Sequence, residues 1–176
     1  MEEQKPSLWK SALNWGVILG IALIIYSLLM WILDLSLEQW VSWVSYIIMI
    51  GGIVLGTKSY RDNILNGAIS YGQALGFGVL MMLFASIISA IYSYIFFAFI
   101  DPEFVNKMLQ MVEEQLLERG MPDEQIEMAI EMQRKFMKPV IMALMTIPTY
   151  TFIGLIISLI TSIFLKKKPA EIAFEE

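Results

Sequence analysis

Six methionines crowd one polar stretch of this chain: Met108, Met111, Met121, Met128, Met132 and Met137. Thioethers three or four residues apart can hold Cu(I), a soft ion that prefers sulfur. Their alternation with Leu, Val, Ile and Phe favours another use, an adaptable apolar face. Acid pairs stand among them, Glu113 with Glu114 and Asp123 with Glu124. Adjacent residues on a helix diverge by about 100°, so neither pair converges on one atom as general acid–base chemistry requires. The glycine run 51–56 lacks the Lys-Ser/Thr ending of a phosphate-binding loop. Cysteine and histidine are both absent, which removes thiolate nucleophiles, imidazole bases, disulfides and the zinc sites built on either. The expectation is a protein that is not an enzyme and carries no metal and no cofactor.

Hydroxyl groups are the other chemical resource. Ser86, Ser89 and Ser93 share one helical face, and Thr146, Thr149, Tyr150 and Thr151 lie further along. Ser86, Ser89 and Ser93 beside Thr146 and Thr149 could line a polar path through a small channel or transporter subunit. Helix–helix hydrogen bonds, and bonds back to the helix's own carbonyls, are the commoner use of such groups.

The elements that must carry these residues follow from composition. Of 176 residues, 57% are hydrophobic and 16% charged, against about one-half and one-quarter in soluble domains. Four stretches, about 13–33, 40–56, 71–100 and 139–165, lack interior charge. A hydrocarbon core of about 30 Å takes about 20 helical residues, so each is long enough, or nearly so, to cross it. Alternation of apolar and polar residues, the mark of a membrane barrel, is missing from them. The fold class read here is all-α: a polytopic membrane protein of one domain, 1–176, with four transmembrane helices. The acidic start Met1-Glu2-Glu3 and the lack of a small-residue cleavage site argue against a removable signal. The net charge of −5 argues against a nucleic-acid partner, since phosphate binding needs clustered Lys and Arg.

Lys and Arg near span ends set orientation. Lys5, Lys10, Lys58, Arg61 and the lysines at 166, 167 and 168 fall on one side, seven against the five of segment 101–138. Both termini are therefore expected in the cytoplasm, with 101–138 on the far side. Asp34, Glu38, Asp62 and Asp101 lie at span ends, where hydration makes a carboxylate cheap.

Helices in lipid associate through small residues that let backbones approach. Gly16 and Gly20, Gly52 and Gly56, and Gly72 and Gly76 each stand four apart, on one face of their helix. They predict a three-helix seam toward the cytoplasmic end, with the bundle more open at the other. Pro148, inside the fourth span, predicts a kink, with a nearby Thr satisfying the freed carbonyl. Leftover glycine faces leave room for a homo-oligomer.

Segment 101–138 holds nine acids and five bases. Asp101 before Pro102 reads as an N-cap, Gly120 as a helix stop and Pro122 as a restart. An amphipathic helical hairpin between the third and fourth spans is expected. Its candidate contact face is Met108, Leu109, Val112, Leu116, Met128 and Met132. The segment is expected to pack on the membrane surface, to dock over its own bundle or to bind another protein, so the partners implied are the lipid bilayer and a protein at the extracytoplasmic hairpin.

Three motifs carry a family likeness: 56–62 (GTKSYRD), 71–78 (YGQALGFG) and 92–104 (YSYIFFAFIDPEF). In that order, between the first span and the triple lysine, they resemble a family of small bacterial membrane proteins known as domain-of-unknown-function family 4199. The resemblance implies a four-helix protein of the bacterial inner membrane. It implies no activity, ligand or catalytic residue.

Overall fold

The computed structural model describes residues 7–167. Lys5, Lys168 and the acidic start lie outside the described residues. Among the described residues there are six α-helices: α1 (Leu8–Ile32), α2 (Gln39–Asn63), α3 (Tyr71–Ile95), α4 (Phe104–Glu118), α5 (Asp123–Phe136) and α6 (Pro139–Leu165). A π-helical turn, Phe96–Ile100, extends α3. Apart from one isolated bridge, there is no strand pairing among the described residues.

Local chemistry sets the boundaries. The Ser7 side chain caps α1 by accepting from the Lys10 N–H. Ser70 and Gln73 form a reciprocal capping box at the start of α3, with bonds of 3.3 and 3.0 Å. Asp34, at φ 56°, closes α1 in a Schellman motif. Its N–H reaches Trp31 O, and that of Leu35 reaches Met30 O. Gly120, at φ 71°, does the same for α4 through Leu117 O and, from Met121, Leu116 O. In α5, Asp123 and Glu124 occupy the first turn and Arg134 and Lys135 the last, each sign matched to the helix dipole.

Helices α1, α2, α3 and α6 are long and apolar enough to cross a membrane. Of the most apolar window of α6 only 6% is buried. Ile18, Ile21, Ile25 and Leu29 on α1, with Phe152, Ile156, Ile160 and Ile163 on α6, all point outward. An apolar outer surface of this extent has no stable place in water. The polytopic helical membrane fold follows from these two observations.

The central helix is α3, packed chiefly on α6 and α1, while α2 touches all three. Contacts between Gly16 and Phe84 and between Gly20 and Ile88 make α1 and α3 parallel neighbours. Contacts of Gly52 with Leu19 and Gly56 with Trp15 set α2 antiparallel to α1, and those of Gly78 with Ser158 and Gly154 with Met82 set α6 antiparallel to α3. Phe77, Met81, Met82 and Ala85 are wholly enclosed, and the Tyr60 ring stacks on Phe77 at 4.6 Å. At one end of the bundle, Ile69 and Lys167 exchange two backbone hydrogen bonds of 2.9 Å. Arg61 Nη1 donates to Leu165 O, the last carbonyl of α6.

Two boundaries differ from expectation. Helix α2 continues past Gly56 to Asn63, carrying Lys58 and Arg61 on the helix rather than in a connection. A helix satisfies its own backbone in water as in lipid, so its end follows the turn at Asn66 and Gly67, both at positive φ, not the end of the apolar run. Asp101 is not the N-cap of α4, which begins at Phe104. Its N–H closes the π turn on Phe96 O, which leaves its side chain free to bond elsewhere.

Candidate functional site

A cavity of about 240 Å³ opens at the bundle end where α1 meets α2 and α3 meets α4. From α1 come Tyr26, Ser27 and Met30; from α2, Val41 and Ser45; from α3, Ser89, Tyr92 and Ser93; from α6, Thr146 and Tyr150. The rim is aromatic. Phe96 meets Trp31 at 5.8 Å, Tyr92 at 5.7 Å and Phe104 at 5.5 Å between ring centroids. The π turn widens the helix by one residue just where these rings gather.

Several hydroxyls here are committed to the protein. Tyr26 donates to Val41 O at 3.0 Å, Ser45 to the same carbonyl at 3.2 Å, and Tyr92 to Ser27 Oγ at 3.3 Å. Thr146 donates back to Met142 O. Ser89 differs: its Oγ is buried without a partner. Behind the rim, Asp101 Oδ2 accepts from the Trp31 indole N–H at 3.0 Å and from Lys107 at 3.3 Å. The Trp31 bond and the Lys107 ammonium hold the Asp101 carboxyl below the usual carboxylate range, against the opposing push of burial. Among the described residues, no charged side chain lines the cavity itself.

The alternative use of these hydroxyls, a polar path, is not assembled, and Ser86 and Thr146 bond their own helix carbonyls instead. Ser89, Ser93 and Thr146 share the cavity, whereas Thr149 is exposed on the outside of α6. Ser86 is fully buried, donating to Leu83 O at 2.7 Å and lying 3.4 Å from Thr151 Oγ1. Beneath Ser89, the enclosed layer of Ala85, Met82 and Met81 closes the interior. The cavity is blind.

The glycines divide. A Cβ on Gly16 would lie 2.6 Å from Phe84 Cβ and 2.7 Å from Met81 O, and one on Gly20 3.2 Å from Ile88 Cβ. On Gly52 it would meet Leu19, and on Gly56 Met81 and Trp15. Gly72 and Gly76 have nothing within 4 Å, so the seam predicted through them does not exist. They lie on a face of α3 turned from its neighbours. The close approach of α3 to α6 runs instead through Gly78 against Ser158, and Gly154 against Met82. Gly78 stands in the quoted motif 71–78, two residues beyond Gly76, so the signal was present in the wrong register. Pro148 lies within an uninterrupted α6. The Thr146 hydroxyl bonds Met142 O, not Leu144 O, the carbonyl that Pro148 frees.

The six residues of the candidate contact face do not form one face. Leu109 is buried, and Met108, Val112 and Leu116 are half-buried. Met128 and Met132 are exposed, as are Met111, Leu117 and Phe136. The spacing 109, 112, 116 marks the inner side of α4, while 128, 132, 136 marks an outer side of α5. The residues unnoticed in the sequence are Trp31 and the hydroxyls of the first two spans, Tyr26, Ser27 and Ser45, while Asp101 was read only as a span-end carboxylate and an N-cap. Tyr26 and Ser27 interrupt a long apolar run, and that interruption was the available signal.

A family model described as "Protein of unknown function (DUF4199)" matches residues 14–167. The chain belongs to the DUF4199 family. The match covers α1 from Asn14 onward, the other three apolar helices and the α4–α5 segment, so the cavity and the rim of this DUF4199 protein both fall inside it. Comparison with curated proteins and with solved structures gives no match.

Proposed function

We propose that this DUF4199 protein is a non-enzymatic, multi-pass protein of the bacterial inner membrane that acts through protein contact at α4–α5. In this reading both termini are cytoplasmic and α4–α5 lies on the opposite side. The observation that carries it is the stripe Met128, Met132 and Phe136. These residues are 58%, 64% and 60% exposed on a helix outside the apolar bundle. Spacings of four put them on one side of α5. Ile126 and Leu109 are already buried, so this stripe is not what holds the two helices together. Methionine faces of this kind adapt to partner helices.

A photo-crosslinking residue at position 132, in native membranes, tests the reading against the same residue at Glu114 on the polar side of α4. The expected result is a discrete protein adduct from position 132 that Met128→Glu abolishes. Identical adducts from both positions, or lipid adducts alone, would refute it. The channel reading draws no support from a blind cavity.

A further inference from the structure

We propose that the blind cavity between α1, α2, α3 and α6 is a binding site for a neutral, membrane-soluble molecule with one planar ring bearing carbonyl oxygens, the quinone class. This goes beyond the contact role of α4–α5 and does not depend on it. Four features of the cavity select that chemistry.

The first is charge. Asp101 is outside the lining and already holds Trp31 and Lys107, so an ionic ligand would lose its hydration and find no counter-charge. The second is shape. Tyr92, Phe96, Phe97, Phe104 and Tyr150 supply ring faces and edges on several sides, suited to a flat aromatic or quinonoid partner. The third is polarity. Ser89 Oγ is buried with no partner, in a residue only 6% exposed. Ser93 and Tyr150 bring two further hydroxyl groups to the lining. A hydroxyl left unbonded in an apolar bundle is costly, and a turn of the Ser89 side chain toward the cavity it lines would let a ligand carbonyl accept from it. The fourth is size. At about 240 Å³ the cavity exceeds the roughly 150 Å³ that encloses a benzene and falls short of the roughly 300 Å³ where drug-sized sites begin. One substituted ring fits, and any tail must leave through the open end.

The test uses the full chain in phosphatidylcholine–phosphatidylglycerol nanodiscs, with empty nanodiscs as the blank. Equilibrium dialysis measures duroquinone, and durene serves as the ring of the same shape without carbonyls. The expected result is saturable binding of duroquinone, one per chain, with durene weaker by about tenfold or more, the worth of one hydrogen bond to a buried site. Ser89→Ala, which removes a single oxygen, is expected to weaken duroquinone by about tenfold and leave durene unchanged. Ser93→Phe fills the space and is expected to abolish both. Circular dichroism and size exclusion verify that it folds, and if it does not, Ser89→Ala decides alone. Equal binding of duroquinone and durene would overturn the proposal. So would duroquinone binding unchanged by Ser89→Ala, a phospholipid chain retained in the cavity by native mass spectrometry, or no saturable uptake above empty discs.

Discussion

Alanine at Gly16 and alanine at Gly76 should have different effects on stability, although both replace a helical glycine. The gain in helix propensity, about 0.5–1 kcal/mol, is common to the two and cancels in their comparison. What remains is space. The Gly16 methyl would sit 2.6 Å from Phe84 Cβ and 2.7 Å from the Met81 carbonyl oxygen. Both belong to the backbone or its first carbon and cannot rotate away. Relief requires α1 to move from α3 by nearly an ångström, which also disturbs the neighbouring contact of Gly20 with Ile88. Overpacking of this kind costs about 1–3 kcal/mol. At Gly76 the methyl meets nothing within 4 Å. Gly16→Ala should therefore be less stable than Gly76→Ala by about 1–3 kcal/mol. Equilibrium unfolding of the two variants in mixed detergent micelles measures the difference. Equal stabilities, or a less stable Gly76→Ala, would show that α1 and α3 do not approach as described.

Other consequences are as direct. Asp101→Asn should destabilise the rim by about 1–3 kcal/mol at neutral pH, the scale of hydrogen bonds to a charged group, with a change in Trp31 emission. Because the Asp101 pKa is lowered in the folded protein, this contribution is present above the ordinary carboxylate pKa. It fades as pH falls through the folded value, so the gap between Asp101→Asn and the parent should close in acid; a gap that widened would contradict the assignment. Gly120→Ala, at φ 71°, should cost about 1–2 kcal/mol and speed amide exchange at the α4–α5 turn. Ile69→Pro removes the N–H donated to Lys167 O and should accelerate exchange at the end of α6 without disturbing the cavity.

Much of this architecture is legible in the chain because each decisive signal is local. Uncharged runs fix the four long helices, and Gly120 announces its own left-handed turn. Where sequence reasoning went astray, the missing information was rotational. Gly72 and Gly76 carry the same spacing as Gly16 and Gly20, and spacing alone cannot say which side of α3 faces α1. Thr149 and Thr146 differ only in rotation about α6, yet one faces outward and the other the cavity. In lipid both sides of a helix are apolar, so the contrast that reveals the inner face of a soluble helix is weak. It survives in α4 and α5, where water restores it: Leu109 and Ile126 turn inward and acids turn out. Asp101 was illegible for a further reason. Its partners Trp31 and Lys107 lie 70 residues before it and 6 after, and no local pattern links them.

The central claim is that four helices cross the bilayer with α4–α5 on the side opposite the α2–α3 connection. The chain contains no cysteine, so single cysteines placed at Asn63, Gln115 and Ile91 report position without background. Labelling with a membrane-impermeant maleimide, from outside intact cells and then after permeabilisation, reads each one. Gln115→Cys should label from outside, Asn63→Cys only after permeabilisation, and the outward-facing Ile91→Cys, within the third apolar span, under neither condition. Labelling of Gln115→Cys and Asn63→Cys from the same side, or ready labelling of Ile91→Cys, would contradict it.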